Sequence, residues 1–133
     1  MAHKRIVIVG CGRLGGSLAN SLSLSGHQVV VIDRKETAFE KLSVEFSGFR
    51  QPGDATELDV LKEAGVEKAD VVFATTTADN INLMVAQVAR HIFQVPRVVA
   101  RVFDPNRESI YTAFGIETIS PTKLSADAFL KRV

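Results

Sequence analysis

Three glycines stand in one short stretch, Gly10-Cys11-Gly12-Arg13-Leu14-Gly15. At that spacing they leave backbone N–H groups bare where a strand turns into a helix, and such a turn can hold a phosphate. Gly10 permits the tight turn, Gly12 lets an anion approach the backbone, and Gly15 lets helix and strand pack closely. The helix dipole adds a positive field at the same place. The motif alone is a weak signal, but its surroundings strengthen it. The apolar run Ile6 to Val9 ends directly before it, a helical pattern begins inside it, and a second apolar run ends in Asp33, about the 20 residues on that a dinucleotide-binding fingerprint requires.

Asp33 in that place accepts hydrogen bonds from the ribose 2′ and 3′ hydroxyls and repels a 2′-phosphate, which disfavours NADP. Arg34 reads either as a solvated charge or as a ligand contact that weakens this bias. Arg13 sets a cation against the helix dipole. A bound phosphate reverses that small cost, so Arg13 is expected to touch phosphate, with a plain surface residue as the alternative. Cys11 reads as a small filler of the turn. A thiol whose pKa falls at the helix N-terminus, and so senses redox state, is the other reading. Leu14 opens an apolar row with Leu18 and Leu22. Ligands of such folds lie outside the carboxyl ends of the strands, so the later loops Gly53-Asp54-Ala55-Thr56 and Thr75-Thr76-Thr77, and Arg101, are expected to line the same crevice. Asp54 is placed to receive the adenine amino group, with Gly53 and Ala55 bounding the base. Thr75 and Thr76 are placed near the phosphates, whereas Thr56 with Asp59 resembles a helix capping box.

These groups need a frame that gathers them at one edge. Continuous apolar runs at Ile6 to Val9, Val29 to Ile32, Val71 to Ala74 and Val98 to Val102 suit strands buried on both faces. Weaker runs lie at Phe49 to Gln51 and at Thr118 and Ile119. Helical patterns fall between them: Leu14 to Leu22 with Gly26 as a stop; Phe39, Leu42 and Phe46 on one face; and Leu58 and Leu61 before Gly65. The longest stripe is Ile81, Val85, Val88 and Ile92, beginning near Asp79, where Asp79, Asn80 and Asn82 read as caps or solvated residues. Asp104-Pro105 starts a further helix that Gly115 stops. A last helix from about Pro121 carries Ala126, Phe129 and Leu130. Strand and helix alternate throughout, which predicts an α/β, Rossmann-like, doubly wound parallel six-stranded sheet with helices on both faces, in the order 3-2-1-4-5-6.

The chain has 133 residues, 46% hydrophobic and 23% charged, enough for one domain over residues 1–133 with one core. Its net charge of +1 comes from 16 Lys and Arg against 15 Asp and Glu, and no block of like charge favours nucleic acid or a membrane surface. Its single cysteine cannot form an intramolecular disulfide or a cysteine-rich metal cluster, which fits a reducing cytoplasm. No apolar run approaches the roughly 20 residues a membrane helix needs, so direct insertion is not expected.

Taken together, Gly10 to Gly15, Asp33, Gly53-Asp54-Ala55-Thr56, Ala69-Asp70, Asp79-Asn80-Ile81-Asn82 and Ala100-Arg101 resemble, in order and spacing, the N-terminal domain of the regulators of potassium conductance. This RCK/KTN (TrkA-N) family comprises the cytosolic regulatory subunits of Trk/Ktr-type bacterial potassium uptake. The resemblance implies a domain that binds AMP, ADP, ATP or NAD(H). It also implies a homodimer, and a higher ring in whole regulators, placed in the cytoplasm beneath a potassium-translocating membrane subunit and peripheral to its inner face. Arg at position 13 resembles the adenine-nucleotide branch more than the NADH branch. Two features depart from the pattern. Many members continue into a smaller regulatory lobe, which is absent from this chain. Pro121 is followed by Thr122 where some ATP-binding members carry a metal-holding Glu, so no metal site is expected.

An enzyme, an NAD-dependent oxidoreductase domain, is one rival reading. The only tyrosine, Tyr111, has Gly115 four positions on instead of the Lys of short-chain dehydrogenases. His3, His27 and His91 lie away from the expected carboxyl ends, so no proton-transfer pair can be assembled and no catalytic residue is expected. A P-loop is excluded because the Gly-Lys-Ser/Thr ending is missing. A stand-alone nucleotide or redox sensor with another partner remains open, since fold does not fix function. Ligands that differ in their phosphates can shift a dimer between arrangements only by differential affinity. The Ile81 to Ile92 stripe is either a dimer face or core.

Overall fold

A computed structural model of the chain describes residues 3–133; Met1 and Ala2, the start of the N-terminal stretch, lie outside the described residues. The six apolar runs become β1 (Arg5–Val9), β2 (Gln28–Asp33), β3 (Phe49–Pro52), β4 (Val71–Ala74), β5 (Arg97–Arg101) and β6 (Glu117–Ile119). All are parallel, in one sheet ordered β3-β2-β1-β4-β5-β6. The reversal of direction between β2 and β4, at β1, is the topological switch point where this architecture opens a crevice.

Among the described residues five α-helices accompany the strands: α1 (Arg13–Leu24), α2 (Leu58–Glu63), α3 (Asp79–Gln87), α4 (Glu108–Ala113) and α5 (Pro121–Leu130). Alternate residues of β1 feed two cores, as a strand buried on both faces requires. Ile6 and Ile8 pack with Ala19, Val29, Val31, Leu42 and Phe46 on the α1 side. Val7 and Val9 pack with Leu61, Val72, Val85 and Tyr111 on the side of α2, α3 and α4.

Two local expectations change, and two others take definite form. Phe39, Leu42 and Phe46 do not share an α-helix: only a 3-10 segment, Glu36–Lys41, forms there. Leu42 and Phe46 are nevertheless buried. The crossover backbone is tied instead to α1, with Ser43 N donating to Asn20 Oδ1 (2.8 Å) and Ser47 N to Ser23 Oγ (3.1 Å). Thr56 is not the cap of α2, because Glu57 occupies that position; the Thr56 hydroxyl donates to Asp54 (2.7 Å). Of the α3 stripe, Val85 is fully buried, Ile81 and Val88 pack against the core, and only Ile92, in a π-helical turn after α3, points outward. The stripe is therefore core and not a dimer face. Finally, α5 starts at Pro121 as expected, with Ser120 Oγ accepting from Lys123 N as its cap, yet it buries none of its residues. Phe129 and Leu130 are 76% and 69% exposed. No helix among the described residues is long and apolar enough to cross a membrane.

Candidate functional site

The glycine turn closes on itself tightly. Gly10 adopts φ +102°, a region that side chains rarely enter, and its N–H donates to Ile32 O (2.8 Å). A Cβ on Gly15 would fall 1.8 Å from Gly10 O, so only glycine lets α1 start this close to the turn. Gly12 differs: a Cβ there meets nothing within 4 Å, because the position faces open space. Gly12 is also the N-cap of α1, no side chain caps that helix, and its first turn has no acidic residue. The first N–H groups and the positive end of the dipole are thus left to an outside anion.

Asp33, at the end of β2, braces the turn. Its Oδ2 accepts from Cys11 N (2.8 Å) and its Oδ1 from Lys35 N (2.9 Å). Each oxygen keeps capacity for a further donor such as a ribose hydroxyl. Cys11 is fully buried, and burial, then the Asp33 carboxylate, push its thiol above the ordinary range against the smaller opposing pull of Lys41 and Arg50. That is the reverse of a redox-active thiolate, and the filler reading of Cys11 stands. Asp54 holds Thr56 through its N–H (2.9 Å) and hydroxyl (2.7 Å) on one oxygen, Oδ1. The hydroxyl bond, followed by the backbone one, lowers the Asp54 pKa, which keeps the carboxylate charged.

A crevice of about 510 Å³ lies across the switch point, within the ~300–1,000 Å³ typical of small-molecule sites. Gly10, Gly12, Asp33, Arg34, Gly53, Asp54, Ala55, Thr75 and Thr76 all border it. Cys11 and Gly15 lie buried beneath it, Leu14 is half-buried on α1, and Arg13 is exposed on the first turn without bordering it. A smaller hollow of about 330 Å³ lies at the amino ends of the strands near His27 and Phe49, remote from the glycine turn.

Thr77 and Arg101 border the crevice as expected, and Lys35 and Ile81, which the sequence did not single out for it, join them. Arg101 closes its far end: Nη2 donates to Thr75 O and to Thr76 O (3.0 Å), and the guanidinium stacks 4.5 Å over the Phe103 ring. Its Nε is buried without a partner. Burial lowers the Arg101 pKa and nearby Asp79 counteracts this, but an arginine remains charged. Asn82 is fully buried behind Thr76.

His27, His91 and Tyr111 are engaged away from the crevice. His27 Nδ1 accepts from Lys4 N (3.0 Å), His91 Nε2 meets Phe114 O (3.0 Å), and the Tyr111 hydroxyl donates to Asp79 O inside the core. Among the described residues no cluster of three or more His, Cys, Asp or Glu is placed to hold a metal.

Comparison with known proteins gives a consistent picture. The TrkA-N domain family matches residues 6–121. The chain is 44% identical over 128 residues to the Trk system potassium uptake protein TrkA of Streptomyces coelicolor, covering 96% of this chain and 57% of that protein. It is 33% identical over 128 residues to the Trk system potassium uptake protein TrkA homolog of Methanothermobacter thermautotrophicus, covering 96% and 59%. It thus spans somewhat over half the length of these relatives. Among solved structures, the GsuK channel bound to NAD superimposes with a TM-score of 0.81 at 27% identity, covering 97% of this chain and 23% of that one. GsuK bound to ADP gives 0.80 at 28% identity, covering 95% and 32%.

Proposed function

The chain belongs to the TrkA-N domain family, and on that premise we propose that it is a nucleotide-binding regulatory domain controlling a potassium-translocating membrane subunit. The observation that carries this reading is the uncapped start of α1, opening through Gly12 onto a crevice that Asp33 borders. A phosphate suits the bare N–H groups and a ribose suits Asp33. Gly10, Gly12 and Gly15 shape the phosphate site, with Cys11 and Leu14 as packing members of the turn. Gly53, Asp54 and Ala55 bound the base, and Thr75, Thr76 and Arg101 lie toward the phosphates. Arg13 and Arg34 are exposed cations at the approach.

We rank AMP, ADP or ATP first because Arg13 adds positive charge where phosphates collect. NAD(H) is the second reading, favoured by the extension of the crevice past the turn to Ile81 and Arg101 and by the NAD held by its GsuK relative. The role is regulatory and not catalytic. The domain works in the cytoplasm, bound to the membrane through its partner, as a homo-oligomer in which a second copy covers the apolar side chains that α5 leaves in solvent. Calorimetric titration of nucleotide-free protein with AMP, ADP, ATP, NAD and NADH tests the ligand. Preference among the phosphates supports energy sensing, preference for NADH over NAD moves the role to redox sensing, and binding of none refutes the reading.

A further inference from the structure

The first turn of α3 stands behind the crevice and reaches two loops at once. Asn82 is fully buried and its amide is fully used. Oδ1 accepts from Thr76 N (2.9 Å) and Thr76 Oγ1 (2.6 Å), while Nδ2 donates to Thr76 O (3.0 Å) and Arg101 O (3.0 Å). Three residues earlier on the same helix, Asp79 accepts from Phe103 N (2.8 Å) and Asp104 N (3.0 Å) in the β5–α4 loop. Phe103 O accepts in turn from the Thr122 hydroxyl on α5 (3.2 Å). Asn82 does not border the crevice, but Thr76 does, and it touches the glycine turn, since a Cβ on Gly10 would lie 3.0 Å from Thr76 N.

Resting on the nucleotide reading above, we propose that Asn82 is the positioning residue of the phosphate-facing Thr75–Thr76 loop, and that α3 carries crevice occupancy from Asn82 through Asp79 to the β5–α4 loop. A buried amide with every donor and acceptor satisfied leaves no slack: if Thr76 moves, a buried hydrogen bond breaks or the helix moves with it. Asn82 and Asp79 share one rigid turn, so a shift at one is a shift at the other. Ligands that press on Thr76 differently therefore set the Phe103–Asp104 backbone differently, which supplies the differential contact that any ligand-driven change requires. Arg101, holding Thr75 O and Thr76 O from β5, makes the loop respond to both strands.

The test uses the whole chain, with hydrogen exchange at the Phe103 and Asp104 amides measured free, with saturating ADP and with saturating adenosine. Calorimetry and exchange are then repeated on Asn82→Ser. In the unaltered chain ADP slows the two amides by about threefold or more relative to adenosine, as expected where a ligand tightens a local opening. Asn82→Ser binds adenosine within about twofold of the original and ADP about tenfold more weakly, the size expected for a lost buried hydrogen bond at the phosphate side. Its two amides no longer distinguish the ligands. Unchanged ADP affinity together with unchanged ADP-dependent protection in Asn82→Ser overturns the proposal. Should that variant fail to fold, the unaltered chain decides alone, because equal protection under ADP and adenosine overturns it as well. Absence of binding by either ligand is a separate result, which removes the nucleotide reading and this proposal with it.

Discussion

Gly12→Ala separates binding from architecture within one motif. Gly12 has φ −82°, which alanine adopts, and the new methyl meets no atom within 4 Å. The folded chain meets no clash, and the poorer N-cap preference of alanine offsets the roughly 0.5 kcal/mol gained by restricting the unfolded chain, so stability changes by about 1 kcal/mol or less. The open space beside Gly12 is the crevice. A phosphate oxygen held by the bare N–H groups would sit about 2.9 Å from nitrogen, and a methyl carbon needs about 3.5 Å from its neighbours, so the phosphate must withdraw. Each charge-assisted hydrogen bond so weakened is worth about 1.5–3 kcal/mol, which lowers ADP affinity by about tenfold to hundredfold. Calorimetric titration with ADP beside thermal unfolding reads both effects. Gly15→Ala is the contrasting control, because its methyl would lie 1.8 Å from Gly10 O and a backbone overlap of that depth destabilises the fold by about 3 kcal/mol or more. If folded Gly12→Ala binds ADP as tightly as the unaltered protein, the phosphates do not lie on this turn.

Three further outcomes follow from the same geometry. Asp33→Ala strands the Cys11 and Lys35 N–H groups, so stability by urea unfolding falls by about 1 kcal/mol and both ADP and NAD weaken by about tenfold; unchanged affinity would take the ribose away from Asp33. Arg13→Glu weakens ATP by about tenfold at low salt while adenosine is nearly unaffected, and equal losses in titration would remove Arg13 from the phosphate approach. The Cys11 thiol, buried and pushed upward by burial and by Asp33, reacts with iodoacetamide in the folded chain at least about a hundredfold more slowly than in urea-unfolded chain at the same neutral pH. Rapid labelling of folded protein, followed by mass spectrometry, would instead reveal an accessible thiolate.

What the sequence made legible was what neighbours in the chain decide. Strands buried on both faces must be apolar throughout, so β1, β2, β4 and β5 announce themselves, and the glycine turn and Asp33 are adjoined to the first two. The β2–β3 crossover was misread because Phe39, Leu42 and Phe46 keep a helical period, while the bonds that hold its backbone come from Asn20 and Ser23, more than 20 residues away. Thr56 was misread because Asp54, two residues earlier, competes for the hydroxyl that a cap would use. Asn82 lay deeper still: its partners are Thr76, six residues back, and Arg101, 19 residues ahead. Yet the strand order contains that contact. With β5 beside β4, the loop after Ala74 and the end at Arg101 must adjoin, and α3 must return between them. A run of threonines then faces an arginine and an asparagine across one short gap. Polar side chains at neighbouring carboxyl ends of a parallel sheet have to bond one another or a ligand, so pairing residues by strand order and not by sequence distance brings Thr75, Thr76, Asn82 and Arg101 into one group.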